Sequence, residues 1–408
     1  MNPSTPSSRS GRTPAVVHLN AIGRCLTGIR RDLPHLIQLG ERMADCLVRG
    51  GAIRVPHVSP YWVSEYSCRA GGLMGLGGHG AASRKDVAFF ALPDARRWDP
   101  RQDRAMQKLL AGRSRLFVIG RREDLAALGS LDRFEGFTGG ADPGQGRYRL
   151  DTFDPLVSFR PFEELVRAWV TTGEMITSCI RRGKMPIIWM SVWLEGSMVR
   201  NAHFHEHNNL REPWRHPLFH KDFYVPPLEP GYAGNTFLAF AEGVRRRLLE
   251  QADLLAKAGG MLAEAKRAKK RTYAVIVGHS YPAILNIPPN APYPIEWGPW
   301  LSDLRSALPR DFKPGDTAIH LGYAPTKPGN VAYWLKRGVR LIHSSPYGRP
   351  AGLEDHENLV WFDLPWRPSD ATVDVPGYSV RILPGSSTAQ TMAYFAILSE
   401  MAEEMGWH

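Results

Sequence analysis

The clearest fold signal in the chain is the sequence YAVIVGHS, which spans residues 273–280. Its uninterrupted apolar run predicts a strand that is buried on both faces. Gly278, His279 and Ser280 then interrupt the run. A glycine lets the backbone approach a ligand, and a serine hydroxyl with nearby N–H groups can hold a phosphate or a sugar hydroxyl. Because ligands of open α/β sheets bind at the carboxyl ends of the strands, this turn is a candidate binding element.

Further strands are expected along the second half of the chain. The apolar runs that predict them are DTAIHL (316–321), VRLIH (339–343), LVWFDL (359–364) and YSVRIL (378–383). Helical patterns lie before, between and after these runs, at 236–270, 331–337 and 388–405. Strands that alternate with helical segments predict a parallel sheet that helices cover on both faces.

The first half of the chain shows the same alternation. Helices are predicted at 33–49, 60–69 and 162–181, and strands at 52–55, 86–92 and 115–119. The predicted fold class is therefore α/β, with two three-layer α/β/α domains in tandem, each a doubly wound parallel sheet of the flavodoxin-like or Rossmann-like kind. The predicted boundaries are a disordered tail (1–14), a first domain (15–182), an irregular arm rich in aromatic residues and histidine (183–235) and a second domain (236–408).

Composition narrows the classes of function. The chain has 408 residues, which suits two domains of common size. Its net charge of +11 is concentrated at 96–122 and 245–271. This local surplus, without a zinc-finger, basic-zipper or RNP motif, argues against general nucleic-acid binding. No apolar run has the length of a membrane-spanning helix. The four cysteines are scattered, which indicates a reducing, cytoplasmic compartment.

Short motifs in the first half resemble the opening of a sugar isomerase (SIS) domain. They are GGAIRV at 50–55, His57, Ser59, Ser64-Glu65 and RAGG at 69–72. In that family a helix ends at Gly-Gly, a strand leads into a loop of small residues, and Glu and Arg-Ala-Gly-Gly follow on the next helix. Glu65 and Arg69 also have the spacing of an i,i+4 ion pair, which is the simpler interpretation of these two side chains.

The second half resembles the same family more closely. YAVIVGHS is similar to the family's first strand and phosphate turn, and 315–319, 330–343 and 384–388 are similar to later segments. The resemblance covers about 30–182 and 236–408. It implies tandem SIS-like domains, as in the aminotransferases that make glucosamine phosphate. The implied ligand is an anionic sugar, a phosphosugar, bound in the cleft between the two domains or between the chains of a homodimer.

The resemblance also implies roles for individual residues. Glu65 or His279 would be the base of an aldose–ketose isomerisation. The expected ligand-binding residues are His57, Ser59, Gly278, Ser280, Thr326, Lys327, Ser386, Ser387 and Thr388. Among them, the serines at 59, 280, 386 and 387 would hold the phosphate. Hydroxyls at a helix N-terminus suit an anion, while Ser387 or Thr388 would equally serve as the N-cap of the last helix.

The chain departs from the family pattern in its phosphate loops. Where the family has a run of Ser, Gly and Thr, the loop at 322–329 (GYAPTKPG) has one hydroxyl, that of Thr326, and adds Lys327. The corresponding loop of the first half, near 93–100, has none. Two functions therefore stay open, an isomerase and a non-catalytic phosphosugar sensor or scaffold. No cofactor is expected.

A third function follows from the histidines of the arm. In an extended segment His203, His205 and His207 would share one face, as the ligands of a metal-dependent hydrolase do. No obvious carboxylate partner stands at the fixed spacing of a known metal motif, and no HExxH motif is present. A surface or interdomain arm without metal is the simpler interpretation.

Overall fold

The computed structural model describes residues 13–56, 65–66, 69–75, 85–91, 104–112, 114–120, 137–138, 159–205, 218–278, 295–298 and 303–406. Within these ranges each half of the chain contributes one parallel β-sheet, and long helices pack beside the sheets. In the same ranges no helix is both long enough and apolar enough to cross a membrane.

The first sheet is parallel throughout its described strands. They are β1 (Ile53–Arg54), β2 (Val87–Ala91), β3 (Arg115–Gly120) and β4 (Phe137–Thr138), with helix α3 (Arg104–Ala111) between β2 and β3. Their spatial order, β1-β2-β3-β4, is the same as their order along the chain. All residues of β2 are buried, as expected for a parallel strand covered on both faces.

In the second sheet the order in which strands are added reverses once. Its strands are β5 (Thr272–Ile276), β6 (Glu296–Trp297), β7 (Thr317–Leu321), β8 (Arg340–Ser344) and β9 (Leu359–Trp361), and its short helices are α8 (Leu304–Ala307) and α9 (Pro328–Leu335). All pairs are parallel and the spatial order is β6-β5-β7-β8-β9. This is the doubly wound order of flavodoxin-like sheets, in which the reversal falls between β5 and β7. The predicted α/β class with parallel sheets is confirmed.

Long helices join the two halves. They are α1 (Pro14–Arg31), α2 (Leu33–Val48), α4 (Phe159–Arg181), α6 (Tyr232–Leu249), α7 (Ala252–Arg267) and α10 (Ser386–Met405), while the shorter α5 (Ser197–His205) lies in the predicted arm. Helix α2 packs along α4, and α7 packs along α10. Helix α1 crosses to α10 of the second half, and α6 contacts α4 of the first. One continuous apolar core therefore includes both halves, and the domain boundaries stay a prediction.

The structure adds one long helix that was not predicted and differs from two predicted elements. No element was predicted for α1, although its buried residues recur at helical spacing. The single helix predicted at 236–270 is two helices, which separate at Glu250 and Gln251. The strand predicted at 378–383 is present only at its last two residues. A turn at Pro376 and Gly377 precedes β11 (Ile382–Pro384), which pairs antiparallel with β10 (Ala371–Val373) outside the parallel sheets.

Candidate functional site

A buried guanidinium connects the first half of the chain to the start of the last helix. Arg69 Nη2 donates hydrogen bonds to Ser386 Oγ (2.8 Å) and Ser387 Oγ (2.6 Å). It also lies 3.3 Å from Asp370 Oδ2, and Arg69 Nε lies 3.5 Å from Glu65 Oε1. All five side chains are buried. The predicted Glu65–Arg69 ion pair is therefore present, and it is part of a larger cluster.

Both carboxylate oxygens of Glu65 accept hydrogen bonds. Trp169 Nε1 donates to Oε1 at 3.0 Å, and Ser387 Oγ donates to Oε2 at 2.8 Å. Only 2% of Glu65 is exposed. Burial raises the pKa of Glu65, since desolvation outweighs the opposing effects of Arg69 and the two hydrogen bonds. A carboxyl group with a raised pKa is typical of functional sites, although buried structural networks also produce one.

An aspartate in a left-handed backbone conformation organises the start of α10. Asp370 has a φ of 62° and accepts a hydrogen bond at its carbonyl from the Gly385 N–H. Its Oδ1 accepts a second from the Ser386 N–H at 2.8 Å. The N-cap of α10 is Gly385, so the prediction that Ser387 or Thr388 is the N-cap is wrong. Those hydroxyls lie in the first turn of the helix, where its dipole favours negative charge.

Gln390 lies at the ends of β5 and β7, the two strands between which the strand order of the second sheet reverses. Its Nε2 donates to the carbonyl oxygens of Val277 (2.8 Å) and Leu321 (3.4 Å), which follow β5 and end β7. A Cβ placed on Gly278, whose φ is 130°, would lie 3.6 Å from Gln390 Oε1 and 3.8 Å from Ser386 Oγ. In doubly wound folds ligands bind in this crevice. In this chain its floor is covered by the chain's own polar side chains.

Two buried polar atoms, one in the cluster and one in the same turn of α10, have no hydrogen-bond partner in the described part of the chain. Among the residues that the structure describes, the buried Thr388 Oγ1 and Arg69 Nε form no hydrogen bond. Arg69 Nε keeps its longer electrostatic contact with Glu65.

A second polar cluster follows β7. Thr326 Oγ1 lies 2.8 Å from His343 Nε2, and His343 Nδ1 lies 2.8 Å from the carbonyl oxygen of His320. Tyr323, in the same loop, forms a side-chain hydrogen bond with Asp370, and burial raises its pKa well above the usual range for tyrosine. Lys327 is exposed directly before α9. The loop therefore begins at the Arg69 cluster.

The structure brings several of the predicted residues together. Glu65, Gly278, Ser386 and Ser387 lie in one cluster, and Thr388 lies in the same helical turn. Thr326 and Lys327 lie on the loop after β7. The predicted His57, Ser59, His279 and Ser280 lie outside the described residues.

Six residues of the two clusters were not predicted: Trp169, Asp370, Gln390, His320, Tyr323 and His343. Each contacts its partner through the tertiary fold, and none stands in a recognisable motif. The one usable signal was for His343, which, like His320, interrupts an otherwise apolar strand.

The prediction of an extended segment that would present three histidines on one face is wrong for the first two of them. His203 and His205 lie in helix α5, and positions two apart do not share a face on a helix. His207 lies outside the described residues. Within the described part of the chain, no group of three or more His, Cys, Asp or Glu side chains is arranged to hold a metal ion.

Comparison with known proteins finds similarity among solved structures. No protein-family model matches the sequence. No curated protein matches it either. Among solved structures, the chain is similar to the C-terminal domain of glucosamine-fructose-6-phosphate aminotransferase from Francisella tularensis, with a TM-score of 0.44 and 9% sequence identity. The alignment covers 94% of this chain and 96% of that one.

Proposed function

We propose that the chain binds an anionic sugar, a phosphosugar, at the N-terminus of α10. The observation that carries this proposal is the contact of the Arg69 guanidinium with two hydroxyls, those of Ser386 and Ser387, in the first turn of a long helix. A guanidinium, hydroxyls and a helix N-terminus all stabilise a phosphate group. Thr388 Oγ1, which has no hydrogen-bond partner among the described residues, adds a further donor in the same turn.

The proposed site lies between the two proposed domains. Glu65 and Arg69 belong to the first (15–182), and Gly278 and the helix α10 belong to the second (236–408). Because Ser386 and Ser387 are fully buried, an arriving phosphate must replace the contacts that now hold Arg69. The chain's own carboxylates therefore compete with the ligand for this guanidinium. Ligand binding is then coupled to the contact between the two halves.

Binding without turnover agrees best with the geometry around Glu65. Both of its oxygens accept hydrogen bonds, and almost none of its surface is exposed. A base that abstracts a proton next to a sugar carbonyl needs an oxygen within hydrogen-bond reach of the substrate. We therefore favour a phosphosugar sensor or scaffold over an isomerase.

One observation favours the isomerase as a second candidate. The pKa of Glu65 is raised by burial, and general bases often have such shifted pKa values. An isomerase predicts interconversion of aldose and ketose phosphates by the wild-type chain. Turnover would be lost in Glu65→Gln while binding survives. Incubation with either sugar phosphate, followed by chromatography, separates the two candidates.

Thermal unfolding tests the binding proposal. A ketohexose phosphate at a hundredfold excess over its Kd should stabilise the wild-type chain by about 2.7 kcal/mol. Ser387→Ala and Thr388→Val should reduce this stabilisation. Ser399→Ala is the matched control, since Ser399 lies on the same helix and donates to Ala396 O, away from the cluster. Equal stabilisation by the free ketohexose, or equal loss in the control, would overturn the proposal.

A further inference from the structure

Two buried histidines on neighbouring strands contact each other, and one of them contacts Thr326. His320 of β7 and His343 of β8 occupy paired positions in the sheet, and each is 1% exposed. The Nδ1 atoms of the two rings are 3.0 Å apart. His343 Nδ1 also lies 2.8 Å from His320 O, and His343 Nε2 lies 2.8 Å from Thr326 Oγ1. The three residues therefore form a continuous hydrogen-bonded row.

The contact with a carbonyl oxygen assigns the hydrogens of this row. A carbonyl oxygen only accepts hydrogen bonds, so the 2.8 Å contact with His320 O places the proton on His343 Nδ1, and His320 Nδ1, 3.0 Å from the same atom, is then an acceptor. Burial lowers the pKa of His343 to about 3, so the ring is neutral and has a single N–H. His343 Nε2 is then a bare acceptor. The Thr326 hydroxyl must donate its only proton to it.

A committed hydroxyl proton changes what Thr326 can bind. Thr326 is only partly buried, and its oxygen retains lone pairs for an incoming donor but no further hydrogen to donate. Phosphate oxygens at neutral pH are predominantly acceptors, so they gain nothing from such an oxygen. The adjacent Lys327 side chain is exposed and cationic, which disfavours an ammonium group. A neutral hydroxyl is the donor that fits.

We propose that Thr326 accepts a hydrogen bond from a sugar hydroxyl of the ligand, and that His343 is the positioning residue that gives Thr326 this polarity. The inference rests on the proposed function and refines it, since the phosphate would bind at α10 and the polyol end at Thr326. The loop that contains Thr326 also contains Tyr323, which bonds Asp370 beside Arg69. Gly322 preserves the arrangement, because a Cβ there would lie 3.0 Å from the His320 ring.

A spectroscopic test needs no ligand. In the chain labelled with ¹⁵N-histidine, we expect the His343 ring as the Nδ1–H tautomer with an unprotonated Nε2 that accepts a hydrogen bond, assigned by its loss in His343→Gln. Thr326→Val should shift the Nε2 resonance, and Thr326→Ser should restore it. A proton on Nε2 in the wild-type chain, or an unchanged resonance in Thr326→Val, would overturn the inference.

Calorimetric titration tests the ligand class. Three probes are used: a ketohexose phosphate, the free ketohexose and inorganic phosphate. Thr326→Val should weaken binding of the ketohexose phosphate roughly fivefold, which corresponds to the loss of one hydrogen bond. It should leave the affinity for inorganic phosphate unchanged. Thr326→Ser should recover the affinity. An equal loss for inorganic phosphate would mean that Thr326 contacts the anion, which contradicts the inference. If the wild-type chain did not bind the ketohexose phosphate, the proposed function would be refuted. The tautomer of His343 would still show whether the Thr326 hydroxyl donates its proton to His343.

Discussion

Glu174 of α4 and Glu400 of α10 hold the N-terminus of the first helix of the opposite half. Glu400 Oε1 accepts a hydrogen bond from the Ala15 N–H of α1 at 2.7 Å. Glu174 accepts from the Gly231 and Gly234 N–H groups at the start of α6, both at 2.8 Å. The two carboxylates thus have the same function in equivalent helices. The halves of the chain share one structural plan, in which each half caps a helix of the other.

A glycine packs against each of these glutamates. A Cβ on Gly40 of α2 would lie 2.9 Å from Glu174 Cβ, and a Cβ on Gly259 of α7 would meet Glu400 Cβ even more closely. In both helices the residue after the glutamate is a methionine. The repeated contact allows the second and last helix of each half to pack with their backbones close together.

The glycine contacts predict a sharp difference between neighbouring positions. Gly259→Ala and Gly40→Ala should each destabilise the chain by about 1–3 kcal/mol, because the added methyl group meets backbone atoms that are not free to move. Gly260→Ala is the matched control, since nothing lies within 4 Å of its Cβ position. It should stabilise α7 by up to about 1 kcal/mol. Denaturant unfolding gives the three values, and equal effects at 259 and 260 would contradict the packing.

Buried histidine predicts loss of stability in acid. Burial lowers the pKa of His18 to about 3, from 6.5 in an unfolded chain. Between these values the unfolded chain binds a proton that the folded chain excludes, so the free energy of unfolding falls as the pH falls. His18→Gln should therefore flatten the dependence of unfolding free energy on pH by up to about 1.4 kcal/mol per pH unit in this window. The exposed His203 provides the control variant, His203→Gln. If the unfolding free energy of His18→Gln varied with pH as steeply as that of the wild-type chain, the prediction would be refuted.

Ligand binding should be linked to protonation of Glu65. Its pKa is already raised by burial, and a phosphate bound at Arg69 would raise it further by like-charge repulsion. Affinity should then increase as the pH falls toward this pKa, with uptake of protons on binding. Calorimetry of the ketohexose phosphate in buffers of different ionisation enthalpy measures that uptake. The proton uptake should decrease in Glu65→Gln. It should persist in the control Glu163→Gln, since the Glu163 carboxylate pairs with Arg167 instead. Equal uptake in all three proteins would exclude Glu65.

Truncation of Gln390 should strengthen binding of the ligand. Its amide covers the strand ends at Val277 and Leu321. Gln390→Ala removes this cover, so it should cost about 1–3 kcal/mol of stability and strengthen binding of the ketohexose phosphate by opening the crevice. Gln390→Glu keeps the size but adds negative charge, and should weaken binding. If Gln390→Ala abolishes binding while the chain stays folded, then Gln390 contacts the ligand itself.

Local patterns were sufficient where burial is uniform. The strands β5, β7 and β8 lie within a residue of their predicted bounds, because an uninterrupted apolar run has few structural alternatives in an α/β chain. Helix α1 shows the limit of this approach. Its buried residues are mixed with polar ones at helical spacing, a weaker pattern than an uninterrupted apolar run.

The sequence by itself determined the α/β class, the parallel strands and the hydroxyls that open the last helix, since these depend on periodicity and on local turn chemistry. Only the tertiary structure decided that Arg69 reaches Ser386, which lies 317 positions away, and that Gln390 covers the crevice of the second sheet. The physical reason is that a hydrogen bond between distant residues leaves no periodic trace in either segment. Such contacts arise when packed helices carry complementary polar groups into one buried space.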